Sequence, residues 1–374
     1  MTEVPPEAYV AALSGFPRMS LGRLSALLRH HEPHEAWQVV LGERPCSGVV
    51  AQVLNTEGVR PAWRRGALER EPLAVLERCT SLGVRVLPYG HADYPAGLLD
   101  DPLPPPVLFA RGNLALLAGR RVAVVGTRNA TAQGREAARE LGHGLAAAGM
   151  HVVSGLARGV DGHAHRGVLA AEADGRPIGV VASGLDVVYP REHRDLWEAT
   201  ANCGLLLSEA PPGVQPEPYR FPLRNRIVAA LSELVVVVES RERGGSLITA
   251  ALAVERDIPV MVVPGPVGRR ASAGTNQLLC DGAVPITSSI DVLTALSFQH
   301  GRSAVLPADL RARPRSDDIA IYRTLQAAPR TIDGVALALG LSLVEAAMGL
   351  ARLEVAGWIT QADGWFECMG SPLR

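Results

Sequence analysis

The chain has 374 residues, enough to bury more than one hydrophobic core, so two or three domains are expected. Its 37 basic and 38 acidic residues give a formal net charge of −1, which excludes a uniformly basic nucleic-acid coat protein and an acidic disordered tail, so any anion site must be local. All 37 basic residues are arginines, which excludes a P-loop lysine, Schiff-base chemistry and a lysine general base. Cationic sites here are planar guanidinium forks, suited to phosphate and to stacking and always protonated.

The five cysteines, Cys46, Cys79, Cys203, Cys280 and Cys368, form no C-x-x-C pair, so neither a metal site nor a disulfide framework is indicated and a reducing cytoplasm is expected. The N-terminal MTEVPPEAYV is acidic where a signal peptide would be basic and then apolar. No run approaches the roughly 20 apolar residues of a membrane span. A cytoplasmic protein without membrane association is the expectation.

Residues 1–105 carry helical spacing in LGRLSALLRHH, HEAWQVVLGE and PLAVLERCTSLGV, followed by the extended RVLPYG. The proline run DPLPPPV at 101–107 marks a boundary. From there, apolar runs of strand length alternate with helical patterns. The predicted strands are VLFARG, RVAVVG, HVVSG, IGVVASG, GLLLSE, LVVVVES and PVMVVPG. The helices between them include AQGREAARELGHGLAAAG, DGHAHRGVLAAEA, REHRDLWEATA, LRNRIVAALS and GSLITAALAVERD. Continuous β-branched runs with intervening helices predict strands buried on both faces, in a parallel, doubly wound α/β sheet. Residues 301–316 lack periodicity and read as a linker. Residues 317–374 read as three helices and a hairpin turning at ADG, the grammar of a winged helix.

In such a sheet the ligand crevice lies outside the carboxyl ends of the strands, so the loops after the strands matter most. GTRNAT at 126–131 offers Gly126, Thr127, Arg128 and Thr131, and SGLARGVDGHAH at 154–165 offers Ser154, Gly155, Arg158 and Gly159 before Asp161. SGLDVVYP at 183–190 brings Tyr189 near Arg191. FPLRNR at 221–226 carries Phe221, Arg224, Asn225 and Arg226, and GGSLIT at 244–249 puts Gly245, Ser246 and Thr249 at a helix start. Glycines, hydroxyls and arginines at helix N-termini make an anion-binding rim. Asp161, Asp186, Glu209 and Glu239 are interleaved with it, so composition leaves the sign of the crevice open.

The G-x-G-x-x-G dinucleotide fingerprint is missing, as are G-x-S-x-G and H-E-x-x-H. His163 and His165 stand two apart on a predicted helix and do not share a face, which reads as one surface and one packed histidine. His30, His31 and His34 read as a solvated helix end. Phe221 beside the R-N-R triplet has two readings, a base-stacking ring among phosphate forks or a core ring beside ion-paired arginines. Ser154 and Thr249 are either ligand contacts or helix caps.

Taken in order, GTRNAT, SGLARGVDGHAH, GLDVVYP, LLSEAPPG, FPLRNRIVAALS, GGSLITAALA and PGPVGRRASAGTNQLLCDGA closely resemble the DprA (Smf) family of DNA-processing proteins over roughly residues 85–295. The resemblance implies an extended Rossmann-like domain (106–300) flanked by a helical SAM-like domain (1–105) and a winged-helix-like domain (317–374). It implies no catalysis, cofactor or metal. The implied function is sequence-nonspecific binding and protection of single-stranded DNA and loading of the RecA recombinase in natural transformation or homologous recombination. Single-stranded-DNA-binding protein is a further implied partner, and a homodimer through the Rossmann-like domain is implied as well. Carried over residue by residue, the DNA contacts fall on Arg128, on Arg158, where many members carry lysine, and on Phe221, Arg224, Asn225 and Arg226. Gly126, Thr127, Ser154, Gly155, Gly159, Gly245, Ser246 and Thr249 are expected to line the same pocket. The helix near 342–356 holds only Arg352 against Glu345 and Glu354, too acidic for a major-groove reader, so a protein-contact role is expected there.

Two alternatives come from other classes. A nucleotide phosphoribohydrolase would need a glutamate in the P-G-G-x-G-T-x-x-E loop, and here GGSLITAALA has no acid until Glu255. A winged-helix regulator would use the α/β domain as a nucleotide sensor.

Overall fold

The structure is a computed structural model and describes residues 4–300, 314–362 and 364–369. Residues 1–307 form one compact unit and residues 308–374 a second.

The first unit starts with six helices, α1 (Pro6–Ser14), α2 (Leu21–His30), α3 (Pro33–Leu41), α4 (Gly48–Asn55), α5 (Val59–Glu69) and α6 (Pro72–Ser81). Their boundaries follow local chemistry. Proline stands in the first turn of α1, α3 and α6, where its missing N–H is not needed, and Glu32 and Glu35 close a reciprocal box at the start of α3. Their apolar faces enclose Leu13, Trp37 and Trp63, in a core continuous with Phe109 and Trp197 beside the sheet.

Nine strands form that sheet: β1 (Arg85–Pro88), β2 (Val107–Gly112), β3 (Arg121–Val125), β4 (His151–Ser154), β5 (Pro177–Val181), β6 (Leu205–Ser208), β7 (Leu234–Val237), β8 (Val260–Val262) and β9 (Val284–Pro285). The spatial order is β1-β2-β6-β5-β4-β3-β7-β8-β9. Every pairing from β6 to β9 is parallel, and the inner strands β3 to β7 are buried along nearly their whole length, as continuous apolar runs require. The helices that interleave these strands are α7 (Ala96–Leu99), α8 (Ala132–Ala147), α9 (Val160–Ala170), α10 (Arg194–Cys203), α11 (Arg220–Ala230), α12 (Gly245–Val254), α13 (Ala273–Cys280) and α14 (Ser289–His300).

All seven predicted strands are present, but the sheet is mixed and not parallel throughout. β2 runs antiparallel to both β1 and β6. Apolar content marks a strand without fixing its direction, which the connections set. Between β2 and β3 lies a 3-10 turn at Leu114–Ala118 in place of a crossover helix. RVLPYG supplies β1, and β9 is a two-residue edge strand without a sequence signal of its own.

The second unit contains α15 (Ser316–Ala327), β10 (Arg330–Thr331), α16 (Ile332–Leu339), α17 (Leu343–Val355), β11 (Ile359–Ala362) and β12 (Trp365–Cys368). Three helices and a hairpin are therefore present, with β10 added to the other edge of β12. Tyr322 packs edge-on against Trp358 at 5.3 Å in its core. Arg352 is held by both oxygens of Asp318, at 2.9 and 2.6 Å. Residues 301–313 of the expected linker, and Asp363 of the ADG turn, lie outside the described residues.

Candidate nucleic-acid interface

The chain winds outward from β3 through β4 and β5 to β6, then returns to place β7 on the other side of β3. The direction of winding therefore reverses between β3 and β7, and at such a point the loops diverge and leave a crevice. A cleft of about 620 Å³ lies there, lined by the loops after β3, β4 and β7 and by the starts of α11 and α12.

Ten of the fourteen expected residues line this cleft: Gly126, Thr127, Arg128, Gly155, Phe221, Arg224, Asn225, Gly245, Ser246 and Thr249. The guanidinium of Arg128 lies 4.5 Å from the Phe221 ring centroid, and the Tyr189 ring lies 5.5 Å from Phe221 on a tilted approach. Stacking on an aromatic face holds a guanidinium in place while its in-plane N–H donors stay free for phosphate oxygens. Phe221 is half-buried and therefore serves as a seat for an arginine, between its two sequence readings.

Arg224 is buried. Its Nη1 donates to the Gly155 carbonyl at 2.9 Å and to the Val180 carbonyl, and its charge faces Asp161. Burial lowers its pKa to about 10, with Asp161 opposing that shift, so it stays protonated at neutral pH. Asp161 accepts from the Gly155 N–H at 3.1 Å, and burial pushes its carboxyl up while Arg224 pulls it back. Arg224 thus ties α11 to the ends of β4 and β5. Asn225, next in line, reaches the Gly245 carbonyl at 3.3 Å and links α11 to α12. The Ser246 hydroxyl donates to that of Ser240 at 2.9 Å, and Thr249 is buried against the cleft.

Four expected contacts are placed elsewhere. The Ser154 hydroxyl is fully buried and donates to the Val124 carbonyl at 2.6 Å, bridging β4 to β3. Arg158 is exposed outside the cleft lining and paired with Glu192. Gly159 has φ +73°, and a Cβ there would lie 2.2 Å from the Thr127 carbonyl oxygen, so its role is close backbone approach. Arg226 is buried in an ion pair with Glu209. Arg224 and Arg226 diverge because side chains two apart on a helix point to nearly opposite sides.

The interleaved acids are largely consumed. Glu239 accepts from the N–H of Thr131 at 3.1 Å and from its hydroxyl at 2.6 Å, holding the start of α8. Glu209 faces Arg226, and Asp186 accepts from the Gly213 N–H at 2.7 Å. Of the four acids only Asp161 lines the cleft, where Arg128, Arg241 and Arg243 make no ion pair among the described residues. Sequence reasoning passed over Arg241 and Arg243, although R-E-R directly precedes the G-G-S helix start. His165 is fully buried, with Nε2 at 3.3 Å from the Val152 carbonyl, and His163 is partly exposed. Among the described residues no His, Cys, Asp or Glu cluster could hold a metal ion, and no single helix is long and apolar enough to cross a membrane.

Residues 85–297 match the family DNA recombination-mediator protein A. The DNA processing protein DprA of Bacillus subtilis (strain 168) is 41% identical over 251 residues, 66% of this chain and 84% of that protein. Protein Smf of Escherichia coli (strain K12) is 36% identical over 287 residues, 75% of this chain and 76% of its own length. Among solved structures, DNA processing protein A of Streptococcus pneumoniae superposes with a TM-score of 0.65 at 31% identity, covering 79% of this chain and 98% of that one. DNA processing protein A of Helicobacter pylori, described for its single-stranded DNA binding mode, gives 0.51 at 32% identity over 58% of this chain and 96% of its own. With the family match spanning more than half of the sequence and the cleft built from its loops, the chain belongs to the DNA recombination-mediator protein A (DprA) family of DNA-processing proteins.

Proposed function

We propose that this chain binds single-stranded DNA without sequence preference, protects it, and loads the RecA recombinase onto it in natural transformation or homologous recombination. The observation that carries this reading is the Arg128 guanidinium seated 4.5 Å over the Phe221 ring in a cleft that also holds Arg241 and Arg243, which make no ion pair among the described residues. Phosphate contacts fix a strand without reading its sequence, and aromatic faces accept any base. The relative from Helicobacter pylori, described for its single-stranded DNA binding mode, supports the same reading.

In this reading residues 1–105 are a SAM-like helical domain, 106–300 an extended Rossmann-like domain that binds the strand and dimerises, 301–316 a linker and 317–374 a winged-helix-like domain. The last takes a protein-contact role, because the one arginine of α17, Arg352, is engaged by Asp318 and so is not free for phosphate. The protein works in the cytoplasm, with RecA and single-stranded-DNA-binding protein as partners, and performs no catalysis. A phosphoribohydrolase would place a glutamate beside the G-G-S turn, whereas Glu255 follows the end of α12 and does not line the cleft. The test is RecA filament assembly on single strands coated with single-stranded-DNA-binding protein, with and without this chain. Acceleration by wild type but not by Arg128→Ala is expected, and equal acceleration by both would overturn the role given to the cleft.

A further inference from the structure

The two aromatic rings lining the cleft are not equivalent. Phe221 is half-buried and already covered, with the Arg128 guanidinium 4.5 Å from its centroid and Tyr189 at 5.5 Å with an interplanar angle of 49°. A guanidinium and a nucleobase use the same face of a ring, so Phe221 cannot keep Arg128 in place and also carry a base on that face. Tyr189 is the outer ring of the series and 41% exposed.

Tyr189 is also displayed on a segment fixed from several sides. Pro190 after it is buried, and the 3-10 turn Arg191–His193 follows directly. The buried His193 meets the Leu156 carbonyl through Nδ1 at 3.0 Å, and Glu192 pairs with Arg158 from the loop after β4. A ring held this way loses little conformational freedom on binding.

We propose that Tyr189 is the base-stacking platform of the site, and that Phe221 is a positioning residue that seats Arg128 and backs Tyr189. This rests on the single-strand reading above. The strand's phosphate meets Arg128 while its base lies on the exposed face of Tyr189. Any base serves, because every base has a π face.

The test uses the full chain and two fluorescent oligonucleotides of equal length and charge, one bearing bases and one abasic, with anisotropy as readout. Tyr189→Leu is expected to weaken binding of the base-bearing strand by roughly 5- to 160-fold, the range of one lost base–aromatic stack, and to leave the abasic strand unchanged. Tyr189→Phe keeps wild-type binding of both strands, and Phe221→Leu weakens both. Wild-type binding by Tyr189→Leu, equal weakening of both strands by it, or a base-dependent loss in Phe221→Leu alone overturns the assignment and leaves the single-strand reading standing. Failure of wild type to bind any single strand defeats both.

Discussion

No side-chain carbon fits at Gly155, because a Cβ there would come within 2.4 Å of two guanidinium nitrogens of Arg224. Arg224 occupies that space to reach the Gly155 and Val180 carbonyls, so the glycine and the arginine are a matched pair that sets how close α11 sits to the strand ends. Gly155→Ala is therefore expected to destabilise the chain by about 1–3 kcal/mol, the usual range for overpacking a close contact. Urea denaturation checks this, and an unchanged midpoint would show that α11 is held by other contacts.

The buried Arg226–Glu209 pair lies on the side of α11 away from Arg224, outside the cleft lining. Removing one partner of a buried pair leaves an uncompensated charge, so Glu209→Ala is expected to lower stability by about 3–5 kcal/mol. Arg226→Met combined with Glu209→Leu recovers most of that loss and keeps wild-type affinity for single strands. A drop in affinity in the double variant as large as that of Arg128→Ala would return Arg226 to the binding surface.

His165 makes the fold acid-sensitive. Burial lowers its pKa from 6.5 to about 4, with the bond to the Val152 carbonyl opposing that shift. Below pH 6.5 the unfolded chain takes up a proton that the folded chain refuses, so stability falls as pH drops from about 6.5 toward 4. Between pH 7 and 5 this group alone removes about 2 kcal/mol. Denaturation at both pH values should show a loss in wild type exceeding that in His165→Gln by about that amount, and parallel losses would contradict the assignment.

Glu192 restrains Arg158 at the surface. Both side chains are largely exposed, so the pair contributes little to stability. Glu192→Gln is expected to leave the thermal midpoint unchanged and, by freeing a cation beside Tyr189, to tighten single-strand binding a few-fold at low salt. Anisotropy titrations at low and high salt test this, and tighter binding that persists at high salt would argue against an electrostatic origin.

Much of this was legible in the residues. Continuous apolar runs marked seven strands, and ten of the fourteen residues expected from the glycine, hydroxyl and arginine loops line one cleft, because strand ends in a doubly wound sheet converge on one crevice. The remainder depended on facts that no local pattern encodes. The direction of β2 follows from its connections, and Arg224 and Arg226 part company through helix geometry. Ser154 belongs to the buried strand end and not to the loop after it. Tyr189, on the loop after β5, and Phe221, at the start of α11, are far apart in the chain and meet only because β5 and α11 pack together.

In the function proposed above, the arginine seated on Phe221 makes this cleft a single-strand site. The most direct measurement is binding of single-stranded and duplex oligonucleotides over a salt series, for wild type and Arg128→Ala. The account predicts preference for the single strand, affinity that falls with salt, and in the variant weaker binding with a salt slope shallower by about 0.7, the value of one lost phosphate contact. Equal binding of both strands, or a salt dependence untouched by Arg128→Ala, would contradict it.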